Sequence, residues 1–250
     1  MRVLITGAAG RLGRAIAAAL RPEHQLRLAD TGPLASDTGV ECIQADLLEP
    51  EAVWAAVRNV DGVIHTGDPP ADLPADELAR DQSLLDWATR GTHVLFQAAI
   101  DAGVKRLVYA STLEVFRAYP DDVYISELWR PLPAPDMPVM SRYLGELACR
   151  EFARDHMATI TALRLGQLVL EEEVEDQTPD LMWLDVRDAA QAFRCAIRRD
   201  DSTAVWWTRR WGLYHVCAEP PHPKYLIDQA KALGFQPEHN FQRHWAPAQT

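Results

Sequence analysis

The sequence predicts an α/β protein, a doubly wound parallel sheet with a small C-terminal lobe, and three observations predict it. Short apolar runs rich in Val, Ile and Leu alternate with longer runs of helical periodicity, the pattern of parallel strands joined by crossover helices. The first apolar run, at Arg2–Thr6, ends in closely spaced glycines that open a helical stretch. The chain of 250 residues, 48% of them hydrophobic, is long enough to bury the core such a sheet needs.

The elements follow in order. Arg2–Thr6 is the first strand, and the alanine-rich residues 14–20 form the helix after it. Residues 25–29 alternate polar and apolar as a second strand does, and end on Asp30. Residues 41–45 read as a third strand, and 51–58 as an amphipathic helix begun at Pro50, since proline suits the first helical position. Gly62–His65 is a fourth strand, 84–102 a long helix and 106–110 a fifth strand. Residues 69–74 and 119–138 are rich in Pro and Asp, and both follow strand ends, where ligands sit in open α/β sheets. A helix over 142–156, a strand at Thr159–Leu165 and a helix over 188–199 extend the pattern. The proline-punctuated tail, 219–250, carries one helix at about 225–233, and Trp206, Trp207 and Trp211 read as core.

Composition excludes several function classes. A formal net charge of −11 disfavours nucleic acid or an anionic membrane surface as a partner, because the long-range field repels polyphosphate. The apolar run 15–20 is far too short to span a bilayer. Cys42, Cys149, Cys195 and Cys217 form no C-x-x-C pair and have no histidine at metal-ligand spacing, so no metal is expected. No secretory signal is evident, and reduced thiols in a cytoplasmic protein are expected. Lys105, Lys224 and Lys231 are the only lysines, which limits any mechanism that needs one.

The chemistry-bearing motif is Gly7-Ala8-Ala9-Gly10-Arg11-Leu12-Gly13. A strand running into such glycines and then a helix lets backbone amides approach a pyrophosphate, with the partial positive charge of the helix N-terminus behind them. Gly7 suits the tight turn, Gly10 the close approach and Gly13 the helix–sheet contact. Asp30 follows about 20 residues on, at the end of the second strand, where a carboxylate accepts from the hydroxyls of an adenine ribose. It would repel a 2′-phosphate, so NAD is favoured over NADP, although Arg11 and Arg14 lie close by. The fold is therefore Rossmann-like. The chain is expected to fold as one unit, with 1–165 as the NAD(P)-binding core and 166–250 adding the last strand, helices and a reduced substrate lobe.

On these residues the chain resembles the extended short-chain dehydrogenases/reductases, the NAD-dependent epimerase/dehydratase family, and among them most nearly the uronate dehydrogenases. Thr6-Gly7-x-x-Gly10-x-x-Gly13 is similar to the family's cofactor turn, and Asp46-Leu47 to its adenine-contacting pair. His65-Thr66-Gly67 resembles the fourth strand end beside the cofactor ribose, and Gly91-Thr92 with 98–108 resembles a helix and strand of the family. Ser111-Thr112-x-x-Val115-Phe116 is similar to the segment carrying the catalytic Ser/Thr, 183–190 to a late helix entry, and Leu233-Gly234-Phe235-x-Pro237 to the usual ending. The resemblance implies cofactor contacts from Gly7, Ala9, Gly10, Arg11 and Leu12 in the turn. It implies further ones from Asp30, Asp46, Leu47, Thr66, Gly67, Ser111 and Arg142. It also implies a homodimer built on the helices at 84–102 and 142–156.

The family's catalytic pair, Tyr-x-x-x-Lys, is absent: no tyrosine of this chain is followed by lysine four residues later. Aligning on Gly145-Glu146 puts Pro138 at the tyrosine and Arg142 at the lysine. Arg142 can hold charge and bond a nicotinamide ribose, but its pKa stays above about 12, so it lends no proton. The family's Asn before Gly-Thr is Ala88, and the substrate-lobe segment is cut to the acidic stretch 171–176. Thr112 remains as a donor to a substrate oxygen. Tyr124, Tyr119 or Asp68 would have to replace the lost phenol, each with an ordinary loop role as the alternative, while His65 reads as structural. Two readings follow. One is an oxidoreductase or epimerase-type enzyme on a sugar-like or other carbonyl small molecule, with an altered proton relay. The other is a catalytically silent NAD(P)-binding sensor or scaffold.

Overall fold

The computed structural model describes residues 1–34 and 39–245; the last residues of the C-terminal tail, 246–250, lie outside them. Its strands are β1 (Arg2–Thr6), β2 (Gln25–Asp30), β3 (Glu41–Gln44), β4 (Gly62–His65), β5 (Arg106–Thr112), β6 (Thr159–Leu165), β7 (Gln167–Val169), β8 (Trp183–Asp185) and β9 (Trp211–Val216). Seven of them form one parallel sheet in the order β3-β2-β1-β4-β5-β6-β9, while β7 and β8 pair separately. The order runs outward from β1 to β3 and then restarts on the other side of β1 with β4. That reversal opens a crevice at the carboxyl ends of β1 and β4, where doubly wound sheets bind ligands.

Alternation along β1 shows why helices must cover both faces. Val3 and Ile5 belong to a core that also contains Leu12, Ile16, Val108 and Phe193; Leu4, between them, belongs to a second core with Val63, Leu95, Phe96 and Phe152. α1 (Arg11–Leu20) and α6 (Val186–Ala196) cover the first face; α2 (Pro50–Val57), α4 (Thr92–Asp101) and α5 (Met137–Asp155) cover the second. α3 (Glu77–Asp86) and the short α7 (Trp207–Arg210), α8 (Asp228–Ala232) and α9 (Gln242–Trp245) complete the helices of the described residues.

Several boundaries differ from the sequence expectation, each for a local reason. α1 begins at Arg11, directly on the glycine turn. The helix expected over 84–102 starts instead at Glu77, where the Asp76 carboxylate caps it by accepting from the Ala79 amide at 3.0 Å. It is also interrupted by a π turn at Trp87–Gly91. α5 starts at Met137, with Pro138 in its first turn. The tail helix shrinks to Asp228–Ala232 because Tyr225 is drawn into a parallel bridge with Ile125. β9 is the last strand expected within 166–250, where the sequence reading gave it no bounds. Its first residue, Trp211, packs on the second core, but Trp206 is 74% exposed, so the reading of all three tryptophans as core is corrected.

Candidate active site

The glycine turn is sterically obligatory at two positions. Gly7 has φ +69°, and a β-carbon built on it would stand 2.1 Å from Thr66 Oγ1; one on Gly13 would stand 2.2 Å from the Gly7 carbonyl oxygen. α1 therefore packs directly on the end of β1. No side chain caps its N-terminus, which begins directly on the glycine turn that lines the crevice.

Two carboxylates flank this turn, one from each neighbour of β1. Asp30, at the end of β2, accepts from the Ala9 amide at 2.9 Å and the Gly32 amide at 3.1 Å. Asp68, three residues past the end of β4, leans over the other side: its Oδ2 lies 3.0 Å from where a β-carbon on Gly10 would stand. Together with Gly7, Gly10, Leu47, Pro69, Pro70 and Trp87 these carboxylates line one cleft. Both arginines near the turn have partners within the chain. Arg11 pairs with Glu173 at 2.5 Å, and Arg14 donates to the Ala9 carbonyl. An uncapped helix N-terminus, a cradle that a β-carbon would fill, and a carboxylate in place of a cation fit a dinucleotide without a 2′-phosphate. Leu47 is buried in the cleft wall, whereas Asp46 is exposed and caps the Leu48 amide at 2.9 Å. Thr66 is fully buried against Gly7, and Gly67, at φ +68°, makes the bend that delivers Asp68. Trp87 in the cleft wall escaped the sequence reading, since the π turn that presents it leaves no pattern to read.

At the substrate end, Ser111 and Thr112 close β5 but face different surroundings. Ser111 is buried and donates to Glu146 Oε2 at 2.6 Å; Glu146 in turn forms a bidentate pair with Arg164, at 2.6 and 2.8 Å. This network ties β5, α5 and β6 together. Thr112 is only half-buried, and its Oγ1 accepts from the Glu114 amide at 3.1 Å, which leaves the hydroxyl hydrogen available to a ligand. Arg142, one turn into α5, donates to Asp68 Oδ1 at 2.7 Å and to the Thr66 carbonyl at 3.3 Å. The structure thus brings Asp68 and Arg142 together. Pro138, four residues earlier, is exposed.

The remaining candidates separate cleanly. Tyr119 packs edge-on against Trp129 and donates to the Arg130 carbonyl at 2.9 Å, which holds the loop to itself. Tyr124 is 61% exposed on the same loop. Tyr109 is buried, donates to the Arg142 carbonyl at 3.0 Å, and burial pushes its phenol far above the usual range. His65 is buried between Thr6 Oγ1 (2.8 Å) and Thr92 Oγ1 (3.2 Å), and burial lowers its pKa to about 3, so it stays neutral.

The model of the NAD dependent epimerase/dehydratase family matches residues 3–182, a span from the first strand to the edge of β8. The chain belongs to that family. The cofactor its description names is the one the turn and Asp30 call for, and NAD is the cofactor of this fold. Over 95% of its length the chain is 30% identical to an NAD-dependent glucose-6-phosphate dehydrogenase of Haloferax volcanii, covering 93% of that protein. It is 28% identical to a uronate dehydrogenase of Pseudomonas syringae pv. tomato, over 84% of this chain and 78% of the other. Among solved structures, a mutant uronate dehydrogenase of Agrobacterium tumefaciens complexed with NAD matches with a TM-score of 0.79 and 24% identity, over 100% of this chain and 91% of that one. At that identity the likeness speaks for the fold.

Proposed function

We propose that the protein is an NAD-dependent oxidoreductase acting on a sugar or sugar acid, with an altered proton relay. The observation that carries this reading is the cleft: an intact glycine cradle with Asp30 on one side and, on the other, Asp68 bonded to the Arg142 guanidinium. Bound NAD would supply the hydride acceptor. Asp30 would hold the adenine ribose, and its charge favours NAD over NADP. Thr112 would donate to the substrate oxygen. Arg142 would contribute fixed charge and ribose contact, because it lends no proton. The proton itself would pass to Tyr124 or Asp68. Tyr124 is exposed on the loop that follows β5, and Asp68 is a carboxylate already in the cleft.

The sugar dehydrogenases among the relatives support a sugar-type substrate. The silent-carrier reading rests on Pro138 and Arg142, on Ala88 and on the shortened segment at 171–176, and the relatives give it no support. We further propose a cytoplasmic homodimer joined through α3, α4 and α5; a monomer in sedimentation would remove the dimer.

The test is incubation with NAD and a panel of aldoses, uronates and sugar phosphates, following NADH absorbance. Turnover is expected on at least one, and its loss at saturating NAD in either Tyr124→Phe or Asp68→Asn identifies the acceptor. Tight NAD binding with no turnover on any of them would overturn the enzyme reading. Tighter binding of NADPH than NADH would overturn the role of Asp30.

A further inference from the structure

The glycine turn has a carboxylate on each side. Asp30 comes from β2 and Asp68 from just beyond β4, the two strands that flank β1. Both line the same cleft. A dinucleotide has the matching layout, a pyrophosphate at the centre and a ribose diol on either side. A carboxylate is a pure acceptor with two oxygens, suited to a pair of vicinal hydroxyls.

We propose that Asp68, held by Arg142, grips the second ribose of the dinucleotide, the one carrying nicotinamide, as Asp30 grips the first. This rests on the reading that the cleft binds NAD. Four observations support it. Asp68 Oδ1 takes the Arg142 bond at 2.7 Å, while Oδ2 stands on the glycine-turn side, 3.0 Å from the place of a Gly10 β-carbon. The bonds to Asp68 and to the Thr66 carbonyl leave three of the five N–H groups of the guanidinium for ribose oxygens. Side-chain exposures of 26% for Arg142 and 31% for Asp68 leave the pair within a ligand's reach. Finally, an unpaired carboxylate beside a pyrophosphate would repel it, and the fixed positive charge of Arg142 removes that repulsion. Acceptor and donor thus stand side by side at one end of the cleft. Asp68 is then a ribose-binding residue, and the proton relay falls to Tyr124.

Calorimetric titration of AMP, ADP, ADP-ribose and NAD separates the two riboses, because AMP and ADP lack the second. Wild type is expected to bind ADP-ribose more tightly than ADP. Asp68→Ala is expected to weaken ADP-ribose and NAD roughly tenfold or more, the scale of a charge-assisted hydrogen bond, and to leave AMP and ADP within about twofold. Asp68→Asn, which keeps an acceptor, should lose less. Asp30→Ala should weaken all four. Circular dichroism checks that each variant is folded. The proposal is overturned if Asp68→Ala affects ADP and ADP-ribose equally or leaves both unchanged. It is also overturned if that variant tightens both, which would mark Asp68 as repelling the pyrophosphate. Wild type binding none of the four would overturn the dinucleotide reading itself.

Discussion

Gly13 shows how little room the cofactor turn leaves. A β-carbon there meets backbone on both sides, the Gly7 carbonyl oxygen at 2.2 Å and Ala8 Cα at 2.7 Å, and backbone cannot swing away as a side chain tip can. Gly13→Ala is therefore expected to push α1 off the end of β1. Loss of NAD affinity by about tenfold or more and a lower melting temperature should follow, read by titration and thermal unfolding. Unchanged binding would mean that the first turn of α1 does not meet the pyrophosphate. Asp30 and the three glycines of this site were legible in the sequence because their spacing is local: strand, turn, helix and next strand lie within thirty residues. The Asp68–Arg142 pair was not. Its members lie 74 residues apart, and only the packing of α5 against β5 and β6 puts them 2.7 Å from each other.

Among the elements, β5, α5 and β6 are joined by one buried ion pair. Glu146 and Arg164 have side chains 3% and 4% exposed, with Ser111 as a third member and the Phe116 ring 5.1 Å from the guanidinium. Removing one charge leaves the other buried without a partner. Glu146→Gln is thus expected to destabilise the fold by about 3–5 kcal/mol, and Glu146→Gln combined with Arg164→Met by less. Urea unfolding of the single and double variants measures this. A double variant no more stable than the single would show that the pair contributes more than charge compensation. The register explains the position of Arg164, which lies opposite Ser111 in β5 and His215 in β9. In sequence this row is invisible, since its members are separated by some fifty residues each. The π turn between α3 and α4 was hidden for a different reason. An added residue shifts the helical phase without changing the kinds of residue that occupy it.

For the molecule as a whole, pH dependence follows from two neutral histidines sealed in the core. Burial, joined by the positive charges of Arg142 and Arg164 respectively, lowers His65 and His215 to about 3 from an ordinary value of 6.5. The unfolded chain binds protons at these groups near 6.5 and the folded chain only near 3. The unfolded state therefore gains protons in between, and stability is full above about 6.5 and falls as pH drops toward 3. Asp185, held below its ordinary 3.8 by Arg187 and two backbone amides, adds to the loss only at the acid end of that window. The His215 ring packs beside Phe116 and Tyr225, against the backbone of Ile125 and Leu226. His215→Phe is accordingly expected to match wild type near pH 7 and to exceed it increasingly toward pH 5, with a shallower dependence of urea midpoint on pH. Parallel curves would show that His215 does not titrate on unfolding.

The parallel α/β class, the order of the first six sheet strands along the chain, and the dinucleotide turn with its acidic partner could be read from residues alone. Each depends on near neighbours, on hydrophobic alternation, or on a backbone conformation that only glycine adopts. The bounds of β9 could not be read in this way, because WGLYHV carries no clean alternation and becomes a strand through pairing with β6. The same holds for the exposure of Trp206, the Ser111–Glu146–Arg164 network and the meeting of Asp68 with Arg142. These are contacts between distant parts of the chain, and their geometry exists only once the sheet has brought the strand ends into one row.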